Sequence, residues 1–179
     1  MPHLLKMIYV LAFPHFEANV LQSLAAFRGI HEPERAALVA PHVTLAFRIQ
    51  NTLPKDMIAL CQRVASQKKK FYVEFDTSEV VYDQFEDVHK LLLAISVGQV
   101  ELTALHEQLY EGLHRQEPHP HLAYHPHMTI ATNADPVIIE NIDLTSIGPF
   151  PIKATINSLE VLKLEDGGLS SIANVQLGT

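Results

Sequence analysis

Two short phrases hold the residues of this chain best suited to chemistry. Pro41-His42-Val43-Thr44-Leu45-Ala46 recurs as Pro126-His127-Met128-Thr129-Ile130-Ala131. In each, a His and a Thr stand two residues apart within an apolar, β-branched stretch that predicts a strand. Successive strand side chains point to opposite faces, so each His shares a face with its Thr, while Val43 and Leu45, or Met128 and Ile130, point the other way. A regular strand puts Ala46 or Ala131 next on the His/Thr face, where a small side chain leaves room for a ligand. An ordinary His pKa of about 6.5 makes both protonation states available near neutral pH. Gathered in one cleft, the four groups suit in-line opening of a phosphodiester. A neutral His takes a proton from the attacking water, a protonated His supplies one to the leaving oxygen, and the hydroxyls bind the non-bridging oxygens. Such a pair predicts a bell-shaped pH–rate profile.

The elements that must position these groups are marked by periodicity and by Pro and Gly. Met7–Phe13 predicts a buried strand ended by Pro14, and Phe16–Arg28 a helix stopped at Gly29. After a polar stretch, His31–Arg35, the first motif strand spans Leu38–Ile49; Pro41, lacking an N–H, requires an edge or a strand beginning there. Pro54 opens a helix to about Ser66. Phe71–Asp76, Val80–Tyr82 and Val88–Ser96 predict three strands, the last almost wholly apolar and therefore central. Gln99–Arg115 predicts the longest helix, with Leu102, Leu105, Leu109 and Leu113 as its stripe and His106 and Tyr110 as packing residues beside it. A Pro- and His-rich loop, Gln116–Pro126, delivers the chain into the second motif. A short helix over Pro136–Asn141 follows, then strands Phe150–Ile156 and Leu159–Leu164. Asp166-Gly167-Gly168 turns the chain into a last strand, Leu169–Leu177. Each half of the chain alternates strands and helices and holds one motif.

The 179 residues, 47% of them apolar, suffice for one domain with a sizeable core. The net charge of −7 argues against long nucleic acid as the main partner, because such binding rests on many Lys and Arg contacts to phosphates. Lys68-Lys69-Lys70 reads as a solvated turn. Cys61, the one cysteine, reads as a buried structural thiol. The longest apolar runs, Met7–Phe13 and Leu91–Val97, fall far short of the ~20 residues of a membrane span. The chain therefore reads as cytoplasmic, with no membrane partner, and a monomer is favoured.

With both phrases matched in full, as His42-Val43-Thr44-Leu45 and His127-Met128-Thr129-Ile130, the chain resembles the 2H phosphoesterases, also called the 2'-5' RNA ligase-like or cyclic phosphodiesterase family. The resemblance covers most of the chain, from the opening strand and helix to the closing hairpin. It implies an α+β, bilobal fold over residues 1–179, with two pseudo-symmetric lobes, mostly antiparallel sheets lining a central cleft, and helices outside. It implies His42 and His127 as catalytic residues, Thr44 and Thr129 as phosphate contacts, and no metal or cofactor. Substrates would be 2',3'-cyclic or related cyclic phosphodiesters of a small nucleotide or an RNA end. By the same resemblance His127 would be the base and His42 the acid. Arg48, six positions beyond His42, would share its face in a regular strand, either to pair with phosphate or to lie solvated at the strand end. Tyr9 resembles the family's aromatic position lining the cleft, with core packing as the other reading, and from its place before the second motif Tyr124 could stack at the cleft mouth. The few basic residues near either motif set the chain apart from relatives of the RNA-ligase type.

Two other readings remain open from the residues. His119-Pro120-His121 and His125-Pro126-His127, with His114 upstream, could gather a metal for a metal-dependent hydrolase. A nucleotide- or RNA-end-binding module without turnover could keep the same cleft.

Overall fold

Both motif strands lie at sheet edges. The computed structural model describes residues 6–114, 116–120 and 122–179. β1 (Met7–Ala12), β2 (Val43–Ile49), β7 (Ser158–Glu165) and β8 (Gly168–Gln176) form one sheet in the order β2-β1-β7-β8. β3 (Phe71–Asp83), β4 (Val88–Val97), β5 (His127–Asn133) and β6 (Ile152–Ile156) form the other in the order β5-β4-β3-β6. Every pairing is antiparallel. The fold is thus α+β with antiparallel sheets, as expected, and each sheet has four strands. The sheets do not follow the halves of the chain, however. The C-terminal hairpin returns to pair with β1, so the first motif's sheet is built from both ends of the sequence and the second motif's sheet from the middle.

Helices cover one face of each sheet. α3 (Pro54–Ser66) packs on β7 and β8, and α4 (Gln99–Leu113) on β2. α1 (Ala18–His31) and α5 (Pro136–Glu140) pack on the sheet holding β5. The α4 stripe is the one read from the sequence: Leu102, Leu105, Leu109 and Leu113 are all buried with Met57, Leu60 and Val64 of α3. Cys61 is buried among them, and that burial pushes its thiol pKa up to about 12.

Three element boundaries differ from the sequence reading. α1 runs through Gly29 to His31, because Leu24, Phe27 and a buried Arg28–Glu32 ion pair anchor its last turns. That packing outweighs the roughly 1 kcal/mol glycine costs inside a helix. A further short helix, α2 (Pro33–Leu38), opened by Pro33 at its first position, takes up most of the expected polar stretch and ends on Leu38, so the first motif strand begins at Val43 and not at Leu38. Finally, Phe71–Asp76 and Val80–Tyr82 belong to one strand, β3. Its middle is polar because Asp76 to Glu79 are exposed, yet β4 pairs along it from Glu74 to Asp83. Pro41 lies just before β2, an edge strand, where its missing N–H breaks no ladder.

Candidate active site

β2 and β5 lie against each other, bringing the two motifs together. His42 immediately precedes β2 and His127 opens β5; each imidazole is half-buried. The rings are held identically. His42 Nδ1 lies 2.8 Å from the Ala40 carbonyl and His127 Nδ1 2.7 Å from the His125 carbonyl. A carbonyl only accepts, so each Nδ1 carries the hydrogen and each Nε2 is left to exchange a proton with a ligand.

The surroundings of the two rings differ in charge. Burial pushes the His42 pKa down to about 4; the positive charges of Arg28, Arg35 and His127 add to the effect, and the Ala40 carbonyl opposes it. Burial also lowers the His127 pKa, with the charges of Lys90 and His125 adding to it, but the His125 carbonyl and the Glu79 carboxylate both favour the protonated ring. The proton is therefore better tolerated on His127.

Thr44 stands opposite Leu11 of β1, and Thr129 opposite Leu92 of β4. Immediately beyond each Thr the strand bulges. Ala46, not Leu45, pairs with Val10, and Ala131, not Ile130, pairs with Leu91. One extra residue per strand turns the next side chain to the other face. Ala46 and Ala131 are accordingly 1% and 0% exposed in the core. The expectation that these alanines leave room beside His and Thr is corrected by the bulges.

What lies beside the threonines is contributed by other strands. Across three strands run two equivalent rows, Thr44–Leu11–Glu160 and Thr129–Leu92–Glu79. Leu11 and Leu92 are buried but stand apart from the main hydrophobic cluster, forming an apolar floor next to each hydroxyl. The sequence reading missed all four partners. No local signal marks them, because strand order alone sets them beside the motifs.

Arg48 reaches the His/Thr side by an irregular route. Ala46 pairs with Val10 and Ile49 with Ile8, so Phe47 and Arg48 both face Tyr9 across a second bulge. Arg48 takes φ +55° there, a left-handed conformation uncommon for a residue other than glycine. The Tyr9 and Phe47 rings meet edge to face at 5.4 Å, and the Arg48 guanidinium lies 5.7 Å from the Phe47 ring centre. Burial raises the Tyr9 pKa, and the Arg48 charge opposes that rise. Phe47, largely exposed, was not singled out from the sequence.

Tyr124 does not stack at the cleft mouth. Its ring lies flat on His106, with centres 4.0 Å apart, and its hydroxyl donates to the Thr44 carbonyl at 2.7 Å. It belongs to a set of side chains that satisfy the outer edge of β2. His106 Nδ1–H donates to the Leu45 carbonyl at 2.8 Å, and the Phe47 N–H donates to the Tyr110 hydroxyl at 3.3 Å. Glu117 accepts from the Gln50 and Asn51 N–H groups and from the Thr52 hydroxyl. An unpaired strand edge is thereby closed by α4 and its following loop. His106 and Tyr110 are buried, as the sequence reading expects, and also bond to the motif strand.

The alternative reading, a metal cluster around His127, finds no assembled ligand set there among the described residues. His125 is exposed and offers only its carbonyl to His127, while His119 lies instead against α4 beside His106. His121 lies outside the described residues.

Facing edge strands each present a His and a Thr, the pattern by which the sequence resembles the 2H phosphoesterases. The match is made by the family model of the 2'-5' RNA ligase superfamily over residues 15–168, and the chain belongs to that superfamily. A search of the curated proteins finds no match. Among solved structures, E. coli LigT complexed with 3'-AMP is similar at TM-score 0.64 and 18% identity, covering 97% of this chain and 99% of that one. TT0787 of Thermus thermophilus is similar at 0.64 and 16%, covering 96% and 97%. Kluyveromyces marxianus Usb1 is similar at 0.60 and 14%, covering 96% and 98%. These likenesses extend over the whole fold. Among the described residues no helix is long and apolar enough to cross a membrane.

Proposed function

We propose that the protein hydrolyses a 2',3'-cyclic or related cyclic phosphodiester of a small nucleotide or RNA end, with His42 as general base and His127 as general acid. The observation that carries this reading is the matched anchoring of both rings by Nδ1, which frees both Nε2 atoms. His42, held neutral, takes a proton from water as its oxygen bonds to phosphorus. His127 gives a proton to the ribose oxygen whose bond to phosphorus breaks, leaving a phosphomonoester. Thr44 and Thr129 hydroxyls donate to the non-bridging oxygens as charge builds there. The family resemblance pointed to the opposite roles for the two histidines; the cationic surroundings of His42 and the carboxylate of Glu79 near His127 favour the assignment made here.

Small substrates are favoured by three features. LigT is described with 3'-AMP and with ATP. This chain carries a net charge of −7. Glu79 and Glu160 close the two motif rows with carboxylates, which repel a polyanion.

The test is incubation with 2',3'-cyclic nucleotides, ADP-ribose 1″,2″-cyclic phosphate and short 2',5'-linked oligomers, alongside His42→Ala and His127→Ala. Each substitution is expected to lower kcat by about 10²–10⁴-fold with the fold retained. Near wild-type turnover in either variant would remove the two-histidine mechanism, and binding without product would make the protein a binding module.

A further inference from the structure

On α4 and the loop beyond it, outside the histidine pair, three side chains converge. His106 and Glu107 come from α4 and His119 from the loop, and one potential ligand atom of each lies within 4.8 Å of the others. His106 is 3% exposed; its Nδ1–H is fixed on the Leu45 carbonyl, and its Nε2 is buried with no hydrogen-bond partner among the described residues. His119 is arranged in the same way. Its Nδ1 lies 3.1 Å from the Pro120 carbonyl, and its Nε2 lies 3.5 Å from Glu107 Oε2.

We propose that His106, His119 and Glu107 bind a divalent transition-metal ion, with zinc the best fit, and that the ion fastens the loop preceding the second motif to α4. Metal-binding imidazoles characteristically donate their second ring N–H to a carbonyl, which fixes the tautomer and aims the other nitrogen at the ion. Both histidines do so here. A buried ring nitrogen without a partner costs about 1–3 kcal/mol, and coordination would relieve that cost. Two imidazoles and a carboxylate are a zinc donor set, and a water completes four-coordination. Ligand atoms on a tetrahedral zinc stand about 3.4 Å apart, given bonds near 2.1 Å. Closing from 4.8 Å therefore needs only a small movement of the exposed His119 and Glu107 side chains.

The location gives the ion a structural role. His106 also grips the bulge of β2 through Leu45, and it stacks on Tyr124, which holds the Thr44 carbonyl. A metal there pins the loop to the same side chains that close the edge of the first motif strand.

Metal-stripped full-length protein is titrated with zinc chloride and followed by calorimetry and thermal melting, together with His119→Ala, Glu107→Gln, His125→Ala and His127→Ala. The expected result is one equivalent of zinc per chain and a Tm that rises with zinc concentration. Affinity should fall about tenfold or more in His119→Ala and Glu107→Gln and be unchanged in His125→Ala and His127→Ala. His119→Ala leaves the bonds to Leu45 and Thr44 in place, so its zinc-free form should melt with the zinc-free parent. A parent Tm that ignores zinc would overturn the proposal. So would unchanged affinity in His119→Ala and Glu107→Gln, or loss only in His125→Ala or His127→Ala.

Discussion

Arg28 and Glu32 form an ion pair at 2.6 Å in which each side chain is only 1% exposed. Arg28 Nη1 donates to the Val39 carbonyl at 2.8 Å, just ahead of His42, and Glu32 Oε2 accepts from the Thr132 hydroxyl at 3.2 Å, just beyond Thr129. The last turn of α1 and its C-cap residue Glu32 thus grip both motif segments. Burial raises the Glu32 pKa, and the bonds from Arg28 oppose that rise. Removing one partner of a buried pair leaves an uncompensated charge, at a cost of about 3–5 kcal/mol. Arg28→Met should lose about that much stability in urea, and Arg28→Met with Glu32→Leu should regain most of it. The double variant should still turn over more slowly, since Val39 and Thr132 are no longer tied. A wild-type kcat in the double variant would show that the pair contributes stability alone.

Thr44→Ala and Thr129→Ala should each lower kcat by about 10²-fold, the scale of losing one donor to a developing oxyanion, with a smaller change in KM. Thr→Ser at either position should retain most of the rate. A rise in KM at constant kcat would mean that the hydroxyls bind the ground state only.

With His42 as base and His127 as acid, kcat/KM rises as pH climbs through the His42 pKa of about 4 and falls as His127 loses its proton below the usual value near 6.5. The optimum for free enzyme and substrate is therefore mildly acidic. Glu79→Gln removes a carboxylate that favours protonated His127, so the alkaline limb should move to lower pH. The depressed His42 pKa also links to stability. As pH falls below the unfolded value, the unfolded chain binds a proton that folded His42 refuses until about 4, so stability drops across that window. The Tm of the wild type should fall more steeply there than that of His42→Ala; parallel curves would contradict this.

Tyr124→Phe keeps the ring stack on His106 but removes the donor to the Thr44 carbonyl. Stability should drop by about 1 kcal/mol. If the bond also holds Thr44 in register, kcat should fall while KM changes little. An unchanged kcat would leave Tyr124 as a cover for the strand edge only.

Ala131→Val adds volume to a fully buried position just beyond the bulge of β5. It should destabilise the fold by about 1–3 kcal/mol through overpacking and leave KM near wild type. A raised KM at full stability would instead return Ala131 to the ligand side.

The superfamily was legible in the chain because His42 and Thr44, like His127 and Thr129, are near neighbours in sequence and alternation alone puts each pair on one face. The α4 stripe and the closing hairpin were legible for the same local reason. The rest depended on which strands pair. Strand order set Leu11, Leu92, Glu79 and Glu160 beside the motifs. Two bulges sent Ala46 and Ala131 into the core, and a further irregularity returned Arg48 to the cleft side. Tyr124 was drawn away from the cleft because an edge strand needs donors and acceptors from α4 and its loop, a demand that exists only once the sheet is assembled. The sequence by itself therefore determined the two His/Thr pairs proposed to react, whereas the tertiary structure decided their burial and the charges around each ring. Burial and long-range charge are properties of the folded chain and of no segment of it.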